Sequence, residues 1–329
     1  MASNDFGKLP IGSRPSTATI RSRVVLEIAA ELVARGDQPY QQAQVHLRSP
    51  RGDGTWPLSL FGSGTVEGIE SVVQGASQLA MTNPAASLSL AYHGKGLFKT
   101  PQPVRAIGVI PSYDQCLFGV RGDFGITYVE EIAERRLPLS LSLRGELAHW
   151  LHPMLDDILA ACGCSLADME GWGGRVHRDG HLPYFDGPRF DAFRRGEITA
   201  IFDESVTNWC NEAPLAGMTI LKLREDTLGQ LEALGYRRST VRQADFPNLP
   251  EDVPTLDFSG WPIFVHAEAD EAFVTQVCEA LVARAHLIPW QSPGPLPVAR
   301  MCREAADTPQ LVPLHPAAER CWRRMGFLT

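Results

Sequence analysis

The sequence predicts an α/β protein built in layers, and two observations carry that prediction. The first ninety residues or so run turn, helix, strand, turn, helix, strand, the alternation that layered α/β folds use. The stretch FGSGTVEGIESVVQGASQLAMTN (61–83) compresses the unit into one Gly-rich turn, one amphipathic helix and one short strand. The chain has 329 residues, 44% hydrophobic and 21% charged, which suffices for two domains with cores of their own.

The elements follow in order. Residues 11–19 (IGSRPSTAT) read as a small-residue turn before a helix over 20–35, whose apolar face holds Val24, Val25, Ile28, Leu32 and Val33. A strand at 44–49 and a polar loop through Trp56 lead to the 61–83 unit. There Thr65 caps a helix with Val66, Ile69, Val72 and Val73 on one face, Gly75 ends it, and 78–81 is extended. Next come a short helix and the turn YHGKG (92–96), then strands at 104–110 and 115–120 and a helix at 128–135. Leu alternates with Pro or Ser over 137–143, a half-buried strand that ends at Arg144, and a long helix is expected over 145–162. Residues 171–187 show no periodicity and read as an irregular loop. Beyond it lie a helix at 190–195, a strand at 198–202 running into Asp203 and Glu204, a strand at 218–223 and a helix at 227–234. The chain closes with a Pro-rich connector at 247–254, an extended run at 264–267, a helix at 271–285 and a Pro-rich loop at 289–297.

Charge and composition exclude several functions. A formal charge of −8, without a Lys/Arg run, argues against nucleic acid as a partner. No apolar run reaches the ~20 residues that span a bilayer, so membrane insertion is not expected. The N-terminus lacks the basic and apolar regions of a secretory signal. The seven cysteines are odd in number and lack metal-site spacing, so free thiols in a cytoplasmic protein are expected, or a periplasmic location if a signal segment has been removed. No cofactor and no metal set is read from the sequence.

The polar candidates suit an anion. Gly-rich turns before helices offer unpaired amides and a positive helix end, which favours Ser13, Arg14, Ser16, Thr17, Ser63, Gly64, Thr65 and Asn83 as ligand groups. Ser142 and Arg144 stand at a further turn before a helix, where an arginine calls for an anion to neutralise it. Asp203 and Glu204 follow a buried strand at a cleft edge, and strand alternation turns only one of them toward a ligand. The motif HRDGH supplies His177 and His181 as candidate catalytic groups beside Asp203 and Glu204. His149 and His152 read as helix surface, and His315 as a group that caps or packs the last helix.

Two regions together resemble one family. The tail LVPLHPAAERCWRRMG (311–326) resembles the closing Pro-Leu-His-Pro-x-Ala helix of the TAXI solute receptors of TRAP transporters, and 61–98 resembles that family's turn, helix and Tyr-Asn-Gly-x-Gly-x-Phe turn. The resemblance implies a two-lobed type II periplasmic-binding-protein fold, each lobe a sheet flanked by helices. Lobe 1 would be 1–115 with 256–329 and lobe 2 would be 116–255, with crossings near 109–120 and 253–265. It implies a small anionic, carboxylate-bearing ligand in the cleft, and a transporter membrane subunit as partner if the protein is exported. The chain departs from the family pattern at Arg14, Pro15 and Arg144 and in the 171–187 loop. The alternative is a cytosolic enzyme on the same scaffold, a decarboxylase or lyase acting on a carboxylated aromatic compound. A third reading is a ligand sensor that signals closure to a protein partner.

Overall fold

The structure, a computed structural model, describes residues 17–35, 42–48, 57–63 and 66–329. The chain divides into a unit of Met1–Ala43 and a unit of Gln44–Thr329. In the first, α1 (Thr17–Arg35) is braced along its own length by the ion pairs Arg23–Glu27 and Arg35–Glu31. Val24, Val25, Ile28, Leu32 and Val33, expected to face a core, are exposed. The Thr65 cap and the ligand turn at Ser13, Arg14 and Ser16 fall outside the described residues, as does Gly64. Thr17 is the first residue of α1 and Ser63 the last of a strand, so both belong to regular elements.

From there the chain runs β1 (Gln42–Arg48), β2 (Pro57–Ser63), α2 (Val66–Val73), β3 (Leu79–Met81), α3 (Ala85–His93), β4 (Val104–Ile110) and β5 (Gln115–Arg121). It continues through α4 (Glu130–Glu134), β6 (Ser140–Arg144), α5 (Leu151–Ala161), α6 (Leu166–Gly171), β7 (Arg175–Gly180), α7 (Pro188–Arg194), β8 (Ala200–Asp203) and β9 (Met218–Leu221). The last elements are α8 (Glu225–Leu234), β10 (Arg238–Val241), β11 (Val253–Asp257), β12 (Trp261–His266), α9 (Glu271–Arg284), α10 (Val298–Met301) and α11 (Pro316–Arg324).

These strands make two mixed sheets flanked by helices, a two-lobed α/β architecture. One sheet has the order β1-β2-β3-β12-β4; the other has β10-β11-β5-β8-β6-β7, with β9 also paired to β5. In the second sheet β6 runs parallel to β7 and β8, so their carboxyl ends lie together. The chain leaves the first sheet after β4 and returns to it through β11 and β12. The two crossings are tied side by side: Asp114 N donates to Ser259 Oγ at 3.0 Å, Phe258 N to Asp114 O at 2.8 Å and Gly260 N to Ser112 O at 2.8 Å.

Packing follows the apolar periodicities. α2 buries Ile69 and Val72 as its spacing requires, and β4 is buried from Ala106 to its end. One core cluster joins α2 and α3 to β5, α5 and α8, and so runs between the two sheets. A second fills the space among β4, β12, α9 and α11, where the Trp322 indole donates to Ile107 O at 2.7 Å. His315 caps α11, its Nδ1 accepting from Ala317 N at 3.2 Å.

Four local expectations change. The 171–187 segment is not wholly irregular: Arg175–Gly180 pairs in parallel with β6 as the edge strand β7. An edge strand with both faces partly wet has no apolar period, so only its partner reveals it. The helix expected from 145 begins at Leu151, because Pro153 is tolerated in a first turn and not in a helix interior. β2 was hidden by the small residues Gly62 and Ser63, although Leu58 and Leu60 alternate with a buried Ser59. Val253 and Pro254, expected to end the connector, open the strand β11 (Val253–Asp257) instead.

The β6–β7 pairing depends on a close backbone approach at Gly174, where an added Cβ would sit 2.5 Å from Leu139 O and 2.7 Å from Met169 O. Gly174→Ala is therefore expected to lower stability by about 1–3 kcal/mol, with faster amide exchange confined to β7. Unchanged β7 exchange in the variant would show that the edge strand does not need this approach.

Candidate functional site

Where β6 and β8 end, four charged side chains meet. Arg144, the last residue of β6, directs Nε at both oxygens of Asp203, at 2.9 and 3.1 Å, and Nη2 at Glu204 Oε1 at 2.5 Å. Asp203, the last residue of β8, is fully buried and also accepts from Arg189 Nη1, which reaches it from α7. Arg189 further donates to Ser142 Oγ at 3.0 Å, Ser142 O at 2.8 Å and His181 O at 2.8 Å. The strand ends and α7 thus deliver two guanidinium groups to one carboxylate.

Alternation does not separate Asp203 from Glu204 as expected. β8 stops at Asp203, and Ser205 takes a left-handed conformation (φ 60), so the chain turns and both carboxylates reach Arg144. Arg144 is not at a helix start either, since α5 begins at Leu151. Its neutralising anions are the protein's own Asp203 and Glu204, which corrects the expectation that this arginine calls for an external one.

Glu204 joins a second carboxyl. Asp114, in the crossing before β5, hydrogen-bonds Glu204 and accepts from Gln115 N, Ser205 N and Val206 N at 2.9, 2.9 and 3.1 Å. Burial and the adjacent Glu204 push Asp114 well above the usual carboxylate range, against three amides that favour its ionised form. Burial acts to raise Glu204 too, but the bond from Asp114 and the facing Arg144 hold it below its usual range. Of the two carboxyls, Asp114 is thus the one whose surroundings favour the protonated form. Charge counting agrees: two arginines then balance the carboxylates of Asp203 and Glu204, whereas an ionised Asp114 would leave a buried net negative charge.

His149 completes the cluster. Leu151 N donates to its Nδ1 at 3.3 Å, which leaves the ring proton on Nε2, 3.9 Å from Glu204. Burial lowers its pKa, with Glu204 opposing, and its ring stacks on Phe258 of the return crossing at 5.9 Å. The Arg144 and Glu204 side chains remain 11% and 10% exposed, while Asp203 is at 0%. The cluster thus meets solvent at its Arg144–Glu204–His149 edge.

The other sequence candidates divide. His177 and His181 line a cavity of about 240 Å³ with Ser142, Asp179, Arg189 and Glu197, and His177 Nε2 lies 2.9 Å from Ser140 Oγ. Arg189 and Ser142 border both this cavity and the charged cluster. Asn83 follows β3 beside the crossing, where Ala85 N bonds Ser259 O at 3.2 Å, and its Oδ1 is buried without a partner. Trp150 Nε1, next to His149, is likewise buried and unpaired. Sequence reasoning missed Asp114, Arg189 and the role of His149. A carboxylate immediately before the buried run of β5 was a usable signal; nothing local marked Arg189. Among the described residues no group of three His, Cys, Asp or Glu is placed to hold a metal ion, and no helix is long and apolar enough to cross a membrane.

No protein-family model and no curated protein matches the sequence. Among solved structures, the chain is similar to Tv2483 bound to L-arginine, at 8% identity over 66% of this chain and 63% of that one (TM-score 0.31). It is similar to the periplasmic binding protein BugD at 14% identity, covering 65% and 66% (TM-score 0.36). It is also similar to PhnD1 from Prochlorococcus marinus in complex with methylphosphonate, at 10% identity over 80% and 84% (TM-score 0.37). The chain spans just under two thirds of the length of the first two.

Charge counting separates two otherwise similar substitutions. Asp203→Asn strands Arg189 and is expected to cost about 3–5 kcal/mol. Asp114→Asn preserves the charge balance and is expected to cost under about 1.5 kcal/mol. Denaturant titration of both variants checks the ranking, and equal losses would mean that Asp114 is ionised.

Asp257, at the end of β11, gives a pH signature of its own. Burial raises its pKa to about 6, with Ser259 and Arg237 opposing. The folded chain then holds a proton that the unfolded chain has released, so stability falls as pH rises from about 4 to about 6. The expected loss is about 3 kcal/mol. Asp257→Asn should remove this component from the stability–pH curve measured by urea unfolding.

Proposed function

We propose that the protein binds a small organic molecule through a carboxylate group at the Arg144–Glu204–His149 edge, as a solute-binding protein of TAXI type. The observation that carries this reading is the charged cluster at the carboxyl ends of the parallel strands β6 and β8, where open α/β sheets hold their ligands. The ligand's carboxylate takes the place of Glu204 on Arg144 Nη2, while Asp203 stays fixed between the two arginines. The lobe division is part of the proposal: 1–115 with 256–329, and 116–255. The membership of β2, β3, β4 and β12 in one sheet supports it. If the protein is exported, a transporter membrane subunit is its partner.

One observation favours the enzyme reading as the second choice. Asp114 and Glu204 are adjacent carboxyls whose surroundings push them in opposite directions, the arrangement of a proton donor beside an acceptor. A decarboxylase or lyase would draw the proton from Asp114 by way of Glu204, rather than from His177 or His181 on the neighbouring cavity.

Native mass spectrometry of the purified protein identifies a retained ligand, and calorimetry then measures its affinity. Arg144→Ala would strip Asp203 and Glu204 of a partner and disturb folding, so Arg144→Lys is the informative variant. It keeps the charge and loses the forked geometry. Ligand affinity is expected to fall roughly tenfold or more. Equal affinity in the two proteins would remove Arg144 from the site, and release of carbon dioxide from carboxyl-labelled ligand would favour the enzyme.

A further inference from the structure

Beyond that site, one face of the second sheet carries polar groups of its own. Side chains alternate along a strand, so Ser140 and Ser142 of β6 share a face with His177 of β7, which is registered opposite Ser142. The other face is held by α5, where Arg178 Nη1 bonds His152 Nδ1 at 3.1 Å. On the first face Ser142, His177, Asp179 and His181 line the cavity of about 240 Å³ together with Arg189 of α7. Ser142 and Arg189 are buried while Asp179 and His181 are exposed, so the cavity reaches from the sheet to solvent.

Hydrogen-bonding capacity is left over on its walls. Ser140 Oγ donates to Glu197 O at 3.0 Å, so His177 Nε2, 2.9 Å from that hydroxyl, has to be the donor of the pair. In the neutral ring Nδ1 is then left as an acceptor. Ser142 Oγ accepts from Arg189 Nε at 3.0 Å, but its own proton, on a residue 3% exposed, has no acceptor among the described residues. No described residue bonds the Asp179 carboxylate. Arg189 does not neutralise it, since that guanidinium is spent on Ser142, Asp203 and the His181 carbonyl. Glu197, by contrast, is held by Arg195 Nε and Nη2 at 2.6 and 2.9 Å.

We propose that this cavity binds a small amino alcohol as its ammonium cation. The ammonium meets Asp179 and His177 Nδ1, and the ligand's hydroxyl oxygen accepts the Ser142 proton. The short alkyl link lies along Pro188, Ala192 and Ile198. A carboxylate-bearing ligand does not suit the cavity, because its one buried cation is already neutralised by Asp203. The site takes the charge opposite to that proposed for the Arg144 edge, so either assignment can fail without the other.

The test uses the full chain and ethanolamine at neutral pH, with binding followed by saturation-transfer NMR and titration. Ethanolamine is expected to bind and to shift the ring-nitrogen resonances of His177. Ethylammonium, which offers Ser142 no acceptor, should bind several-fold more weakly. Ethylene glycol lacks the charge and glycine adds a carboxylate, so both should bind more weakly still. Asp179→Asn, a change at an exposed position that leaves the fold intact, should weaken ethanolamine roughly fivefold or more. No binding of ethanolamine at millimolar concentration, equal affinity in Asp179→Asn, or ethylene glycol or glycine binding as tightly as ethanolamine would overturn the proposal.

Discussion

The carboxylate of Asp203 is the group on which the charged end of the second sheet depends. It is fully buried, and it is held there by one guanidinium from β6 and another from α7. A lone carboxylate in that position would be several kcal/mol too costly to keep ionised. With Arg144 and Arg189 on either side, the ends of β6 and β8 and the start of α7 are fixed relative to one another. The same contacts hold Ser142 and the His181 carbonyl, so the floor of the neighbouring cavity is set by Asp203 as well.

Balance within the cluster limits what it can bind. Two arginines meet two carboxylates, and a third carboxyl keeps its proton. On the proposed reading, a ligand carboxylate would displace Glu204 from Arg144 rather than add to the cluster. Glu204 has further contacts besides Arg144: Ser205 Oγ donates to its Oε2 at 3.0 Å, and His149 Nε2 lies 3.9 Å from its Oε1. Displacing Asp203 instead would leave Arg189 buried and unpaired.

The crossings couple this site to the first sheet. Asp114 bonds Ser259 and Phe258 through its backbone and Ser205 and Val206 through its side chain, so one residue ties both crossings to the turn after β8. The turn after α3 adds a contact farther out, where Lys95 Nζ donates to Ala233 O at the end of α8 at 2.6 Å. That placement satisfies an otherwise unpaired helix carbonyl with a cation. Movement of one sheet against the other would have to break these bonds and open the core cluster that runs between them.

The fold class and most of the elements were legible along the chain. Periodicity is a local property, and it marked α2, β4, β6 and α9 because each has a clearly apolar face or run. It marked the strand ends too, so Arg144, Asp203 and Glu204 were each legible beside the end of a strand, and the family resemblance implied that those ends face one another. Their partners were not. Whether an arginine at a strand end waits for a ligand or is already neutralised depends on which carboxylates the fold brings to it. Asp203 lies 59 residues from Arg144 along the chain and Asp114 lies 91 from Ser205. Tertiary structure alone decided that Asp203 and Glu204 both turn to Arg144, that Arg189 arrives from α7, and that residues 175–180 pair as an edge strand. The physical reason is common to all three: burial and charge neutralisation are set by neighbours in space, and a sequence pattern reports only neighbours along the chain.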